Sequence, residues 1–272
     1  MPTTKSRLQV TISNNIPGTD ISVGCDTALN SIVEAVDRLK LSAASSRARL
    51  FLVEVMGSKC GFLAVMGALA GGADTAYIHE NLLSIEDMQG DIHYLRRKFE
   101  ADFKKGLIIR NERCSKMYDM DFMQAAFEQE GTRRDEISYT VRNLILGHLQ
   151  QGNQPSPLDR VRAARLAGGA CDFVMKLLEN GGTFDGKESA CVIGLHEANV
   201  GATPVIDLVA ETDFVNRRPK HQWFVYLQDL IKLLEMNNSG EWGADLSYTP
   251  MSTVLPDDQI LQGVDDRPDS AC

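Results

Sequence analysis

Four polar turns, each directly behind an apolar run, hold most of what this sequence could use for chemistry. They are SNNIPGTD after QVTI, MGSKCG after LVEV, NERC after LIIR, and HLQQGNQPSP after LILG. The polar set they would collect is Thr11, Ser13, Asn15, Arg49, Glu112, Arg142 and His148. Arginines, backbone amides and a histidine suit a phosphate, and a glutamate suits sugar hydroxyls. The first turn, TISNNIPGTD (11–20), has no His or Cys and no acid before Asp20. It reads as a working site, as a binding site without catalysis, or as an ordinary turn.

Taken singly, these residues have plainer readings. Asn14 and Asn15 are common turn residues, and Gly57 and Gly61 are more often needed for backbone geometry than for phosphate contact. Arg49 and Arg142 default to surface charges; His148, His79 and His93 default to structural roles. Spacing alone supports an α/β phosphate or sugar-phosphate binder.

The elements that must position these turns alternate between strand and helix. RLFLVEV (49–55), TAYIHE (75–80), LIIRNE (107–112), NLILG (143–147) and SACVIGL (189–195) read as short strands rich in β-formers. Before Ser13 there is room for one short strand, QVTI. Leu29, Ile32, Val33, Val36 and Leu39 fall at helical spacing, and CGFLAVMGALAGG (60–72) is a helix of small residues. A helix from 84 to 104 opens with Ser84 and Asp87 at capping-box spacing. Another, 156–182, has Ser156 as N-cap and Pro157 at its first position, and a late amphipathic helix covers 219–237. Strands separated by helices predict a mostly parallel sheet covered on both faces. In such sheets ligands bind at the carboxyl ends of strands, so the turns should gather around one crevice there.

Composition narrows the class. With 37 acidic against 28 basic residues the net charge is −9, which disfavours nonspecific binding to nucleic acid or anionic membranes. An anionic ligand would need a local basic pocket. The six cysteines form no CxxC pair and sit among apolar segments, as reduced, mostly buried thiols do. No run approaches the roughly 18 apolar residues of a membrane span, and MPTTKSRLQV has no signal-peptide core. A soluble cytoplasmic protein is the expectation.

The turns in this order resemble a known family. TISNNIPGTD with GCDTALNSIVEAVDRLK, VEVMGSKCG, AGGADTAYIHE, LIIRNE, LGHLQQG with PSPLDR, and ACVIGL resemble the C-terminal, regulatory half of eukaryotic ATP-dependent 6-phosphofructokinase, from about residue 9 to about 236. The resemblance implies an α/β fold with phosphofructokinase-like parallel sheets covered by helices on both faces, a Rossmann-like three-layer arrangement with the first domain incomplete. It divides the chain into a remnant of the larger nucleotide-side domain (1–24), a sugar-phosphate-binding α/β domain (25–150) and returning helices and strands of the larger domain (151–237). The polar tail, 238–272, reads as disordered.

In that family the N-terminal half keeps catalysis and the C-terminal half has turned its active site into an allosteric site for fructose 2,6-bisphosphate. The catalytic motif reads TIDND, its first Asp acting as base toward the sugar hydroxyl; here it is Thr11, Ile12, Ser13, Asn14 and Asn15. No catalytic residue is therefore expected, because a neutral serine cannot take the sugar proton and loss of a general base costs typically ~10²- to 10⁴-fold. The same change helps a bisphosphate. A carboxylate 4 Å from a phosphate would oppose it by roughly 4 kcal/mol per charge pair at an effective dielectric near 20.

By resemblance, Arg49, Arg142 and His148 hold phosphate, Glu112 accepts from sugar hydroxyls, and Met56 and Gly57 shape the floor. Thr11, Ser13, Asn15 and Gln151 complete the effector site, with Arg217 on the second phosphate and Lys220 assisting. Some of these arginines reach across a subunit interface in bacterial relatives, so the site is expected to need an oligomer, a tetramer in the family, or the N-terminal catalytic half. Ser58 and Gln151 stand where bacterial catalytic sites carry arginine. Lys59 is charged where the family often has an aromatic, and Asn153 replaces a glycine.

The family's nucleotide site uses a GGxGS-type loop upstream of the TIDND position, where backbone amides cradle phosphates. Nothing upstream of Gln9 supplies it. ATP and Mg²⁺ are therefore expected to serve the complete enzyme, which phosphorylates fructose 6-phosphate, and not to bind this chain alone. The alternatives are an independent sugar-phosphate phosphotransferase or a non-functional fragment. No metal, nucleic acid or membrane is expected as a partner of the chain.

Overall fold

Arg49–Val55 lies inside a four-stranded parallel sheet, where its continuous apolar composition belongs. The computed structural model describes residues 5–8, 10–44, 48–132, 139–181, 186–197 and 199–238, all within the compact unit Met1–Ser239. The expected disordered tail beyond residue 238 lies outside the described residues.

In chain order the strands are β1 (Lys5–Leu8), β2 (Val10–Thr11), β3 (Val23–Gly24), β4 (Arg49–Val55), β5 (Thr75–Tyr77), β6 (Lys105–Asn111), β7 (Thr140–Ile145), β8 (Ala190–His196), β9 (Asn199–Pro204), β10 (Thr212–Asp213) and β11 (Arg218–Pro219). The helices are α1 (Cys25–Ala44), α2 (Phe62–Gly71), α3 (Ile85–Glu100), α4 (Met120–Thr132), α5 (Pro157–Glu179), α6 (Val205–Glu211) and α7 (Leu227–Asn238). The larger sheet runs β5-β6-β4-β7, all parallel; a second sheet, β1-β8-β9, pairs β1 parallel and β9 antiparallel to β8. β2 and β3 form a separate parallel pair, and β10 and β11 an antiparallel one.

Alternation along β4 divides two cores. Phe51, Val53 and Val55 face Ile32 and Val36 of α1, Leu63 and Ala68 of α2, and Ile231 of α7. Leu50 and Leu52 face Leu95 and Phe99 of α3 and Met123 and Phe127 of α4. A helical layer on each face covers the parallel sheet, as the alternating pattern predicts. Leu166 and Phe173 of α5 pack on Cys191, Ile193 and Leu195 of β8 as a third cluster. Cys25, Cys60, Cys114 and Cys191 are buried free thiols, whereas Cys171 is exposed.

The two helix starts form as their sequences dictate. The Ser84 hydroxyl accepts from Asp87 N–H at 3.1 Å and the Asp87 carboxylate accepts from Ser84 N–H at 3.0 Å, a reciprocal capping box. Ser156 accepts from Asp159 N–H at 3.1 Å, ahead of Pro157.

Other elements differ from the sequence reading. The single strand expected before Ser13 is two, β1 and β2, in different sheets. β7 begins at Thr140, three residues before the expected NLILG strand. The late helix starts at Leu227, because 219–226 form a strand end and turns. α4, β9 and α6 were not anticipated.

The first polar turn is fixed to the second sheet by close approach. Asp20 N–H donates to Leu195 O at 3.0 Å and Leu195 N–H donates to the Thr19 hydroxyl at 3.1 Å. A Cβ on Gly194 would stand 1.6 Å from the Gly18 carbonyl oxygen, so glycine alone permits this contact.

Candidate functional site

The carboxyl ends of β2, β4, β6 and β7 open onto polar turns, and hydrogen bonds tie those turns to one another. Asn14, in the left-handed region at φ 51°, is buried to 6% exposure. Its side-chain oxygen accepts Ser22 N–H at 2.8 Å and the Ser22 hydroxyl at 3.0 Å, while its amide donates to Asp20 O at 3.0 Å. Asparagine tolerates this backbone region better than most residues. The turn is thereby held so that its two neighbours face outward. Ser13 N–H donates to the Thr11 hydroxyl at 3.1 Å, and the half-buried Ser13 hydroxyl has no partner among the described residues. Asn15 donates to Arg217 O at 3.3 Å.

The turn after β4 is held from two strands. Met56 N–H donates to the side-chain oxygen of Gln150, which is 1% exposed. Gly57 and Ser58 N–H donate to one oxygen of Glu112 at 3.3 and 2.7 Å. Gly57 has φ 153°, and a Cβ there would meet Cys60 O at 2.5 Å and the Asn111 amide nitrogen at 2.8 Å. Only glycine fits this floor. Asn111 donates to Cys60 O at 3.1 Å, locking the exit of β6 to the same loop.

The β10–β11 hairpin crosses this region. Lys59 Nζ donates to Val215 O at 3.0 Å and to Asn216 Oδ1 at 3.2 Å, and Arg218 Nη1 donates to Lys59 O at 2.6 Å. Arg218 also pairs with Glu80 at 3.2 Å, and Glu80 receives Gly61 N–H at 2.9 Å. Burial raises the Glu80 pKa, against the opposing pull of that N–H and of Arg218.

The structure therefore brings together Thr11, Ser13, Asn15, Met56, Gly57, Glu112 and Arg217. His148 and Gln151 belong to the exposed turn leaving β7, beside the buried Gln150. Arg49 and Arg142 do not join them in one crevice. Arg49 is the first residue of β4, six residues before its carboxyl end, or roughly 20 Å at the usual strand rise. Arg142 is aligned with Phe51, in the amino-terminal half of the neighbouring β7. Both side chains lie on the Phe51 face of the sheet, with Arg49 stacked 5.9 Å from the Phe51 ring. The amino end of the sheet thus carries a pair of cations and the carboxyl end carries the polar turns. Lys220 is engaged elsewhere, its Nζ donating to Ala210 O at 2.6 Å.

Sequence reasoning passed over Asn14, Lys59, Gln150 and Arg218 as parts of the site. In sequence Asn14 reads as a turn residue, and only its burial reveals its work. The charge at Lys59 was the one visible signal.

This is an open α/β arrangement with polar turns at the carboxyl ends of parallel strands, the place where such sheets take ligands. The phosphofructokinase family model matches residues 7–174, and the chain belongs to the phosphofructokinase family. The platelet-type ATP-dependent 6-phosphofructokinase of Homo sapiens is 41% identical over 228 residues, 82% of this chain and 29% of that protein. The muscle-type enzyme of Oryctolagus cuniculus is 40% identical over 232 residues, 84% of this chain and 29% of that protein. Among solved structures, phosphofructokinase from Saccharomyces cerevisiae matches with TM-score 0.76 and 31% identity, covering 84% of this chain and 32% of that one. The Pichia pastoris enzyme in the T-state matches with TM-score 0.76 and 31% identity over 86% of this chain and 27% of that one. This chain thus spans less than a third of the length of these relatives.

The turn at 11–15 does not fit a Mg²⁺ site, because its side chains are hydroxyls and amides with no carboxylate. The carboxylates of Glu112 and Glu80 are engaged with the backbone of the 57–61 loop, Glu112 with the Gly57 and Ser58 amides and Glu80 with that of Gly61. Among the described residues no helix is long and apolar enough to cross a membrane.

Proposed function

We propose that this chain is the regulatory, sugar-bisphosphate-binding portion of a cytoplasmic 6-phosphofructokinase, corresponding to the C-terminal half of the eukaryotic enzyme. Its crevice takes fructose 2,6-bisphosphate or, more weakly, fructose 6-phosphate. The complete enzyme transfers the ATP γ-phosphoryl group to fructose 6-phosphate with Mg²⁺; this portion performs no chemistry. The observation that carries the reading is the Ser13 hydroxyl, without a partner among the described residues, within a stretch, 11–15, that holds no carboxylate. A hydroxyl there donates to a phosphate that a carboxylate would repel, and it cannot serve as the base.

Domain roles follow from the same reading. Residues 25–150 form the sugar-phosphate domain, and 1–24 with 151–237 belong to the larger domain. Glu112 and Asn15 face the sugar, and His148 and Arg217 face phosphate. Arg217 is exposed, and its guanidinium has no partner among the described residues. Arg49 and Arg142, at the amino end of the sheet, serve the crevice of a neighbouring copy or of the catalytic half. That placement supports an oligomeric assembly.

Titration calorimetry of the folded chain with fructose 2,6-bisphosphate tests the reading. Saturable binding, with no turnover of ATP and fructose 6-phosphate, is expected. Magnesium-dependent turnover would establish an independent phosphotransferase instead. A folded, assembled chain that binds no bisphosphate would sink the effector-site reading.

A further inference from the structure

Resting on that reading, we propose that Lys59 is a positioning residue: it holds the β10–β11 hairpin across the crevice and so holds Arg217 toward the ligand. The clasp is reciprocal. The Lys59 ammonium donates to Val215 O at 3.0 Å and Asn216 Oδ1 at 3.2 Å, while the Lys59 carbonyl accepts Arg218 Nη1 at 2.6 Å. Arg217 sits between these two contacts in sequence. Asn15 grips its carbonyl from the opposite side at 3.3 Å.

The tip of the hairpin has little else to hold it. Phe214 and Val215 at its tip are 67% and 80% exposed, so burial of apolar surface contributes little there. Internally the tip is stiff: the Asp213 carboxylate accepts Val215 N–H at 3.0 Å, Asn216 N–H at 3.0 Å and the Asn216 side-chain amide at 2.7 Å. A stiff tip on few tethers moves as a unit, and Lys59 supplies two of those tethers.

The base of the hairpin is fixed by Arg218. It pairs with Glu80 at 3.2 Å and donates to His79 Nδ1 at 3.1 Å. Burial first, then the charges of Arg218 and Lys59, hold the His79 pKa below its ordinary value, so the neutral ring accepts that bond. Arg217 itself adopts φ 56°, which turns the chain between the fixed base and the tethered tip. Its guanidinium is left unpaired among the described residues while its backbone is gripped on both sides, the arrangement of a cation presented to an incoming anion.

Lysine supplies both a stem long enough to reach the hairpin and the donors. Lys59→Met keeps the stem and removes the donors; Lys59→Arg restores donors. Calorimetry with fructose 2,6-bisphosphate on these variants, on Arg217→Ala and on the Lys59→Met/Arg217→Ala double variant reads the coupling. Lys59→Met should weaken binding about five- to tenfold, Lys59→Arg should recover most of that loss, and in the Arg217→Ala background Lys59→Met should add little further loss. Amide hydrogen exchange at Val215–Arg217 should quicken in Lys59→Met while the melting temperature holds. Additive penalties, or unchanged affinity in Lys59→Met, would overturn the positioning role while leaving the effector site standing. If the unsubstituted chain binds no bisphosphate, the effector reading fails separately, and unaltered exchange in Lys59→Met would then also remove the clasp.

Discussion

The side-chain oxygen of Asn14 accepts both the backbone N–H and the hydroxyl of Ser22, eight residues further along the turn. One buried amide thus closes the loop that displays Ser13 and Asn15. Asn14→Ala should cost about 2–4 kcal/mol in a denaturant melt, from unsatisfied partners and an unfavourable backbone. A loss under about 0.5 kcal/mol would show that the turn closes without it.

On the proposed reading, Ser13→Asp restores the family's catalytic acid and returns a negative charge to the crevice. Fructose 2,6-bisphosphate should then bind at least tenfold more weakly, on the scale of one charge pair at a few ångströms in a partly screened site. Coupled assay with ATP and fructose 6-phosphate should still give no turnover, because the carboxylate alone provides no nucleotide site. Recovered kinase activity would contradict that view.

Arg142→Ala should weaken bisphosphate binding by about 1.5–3 kcal/mol, as loss of a charge-assisted contact. Since Arg142 lies toward the opposite end of its sheet from the polar turns, the loss should appear only at protein concentrations where copies associate. Calorimetry paired with sedimentation checks this, and unchanged affinity in the assembled protein would remove Arg142 from the site.

Stability should also report on a carboxyl group far from the ligand. Asp91, on α3, accepts from the Tyr77 hydroxyl at 2.5 Å, and burial pushes its pKa up to about 6 against that hydrogen bond. The folded pKa lies above the unfolded one, so folding favours the protonated acid. Stability from this group is greatest below about pH 4 and is lost as pH rises through 6. Asp91→Asn should therefore raise the melting temperature at pH 7.5, by at most about 2–3 kcal/mol in stability, and the advantage should shrink toward pH 4. An advantage constant from pH 4 to 8 would exclude this origin.

The fold was legible where local and tertiary demands agree. RLFLVEV is buried on both faces and reads so, and the caps at Ser84 and Ser156 need only neighbouring residues. α4 carried a usable signal that went unread: Asp119 accepts Phe122 N–H at 2.8 Å, and Met120, Met123 and Phe127 follow at helical spacing. β9 offered less, since NVGATP is rich in turn formers and becomes a strand through its antiparallel register with β8. For the site, the turn positions were readable from the strand ends. Arg142 joins the site through the resemblance rather than through its place on a strand; it precedes NLILG in the sequence reading and lies in the amino-terminal half of β7 in the structure, away from the crevice either way.

On the proposed reading, the separation between the Arg49–Arg142 cation pair and the polar turns would make solution concentration a variable of recognition. If the recipient is a second copy rather than the catalytic half, one copy's phosphate is held by another copy's arginines, so dilution would lower affinity without changing any residue. The relation runs both ways, since a ligand that binds only across two copies draws them together by mass action. Effector level and protein abundance then become a single input, and a small change in either would be read by this module as a change in both.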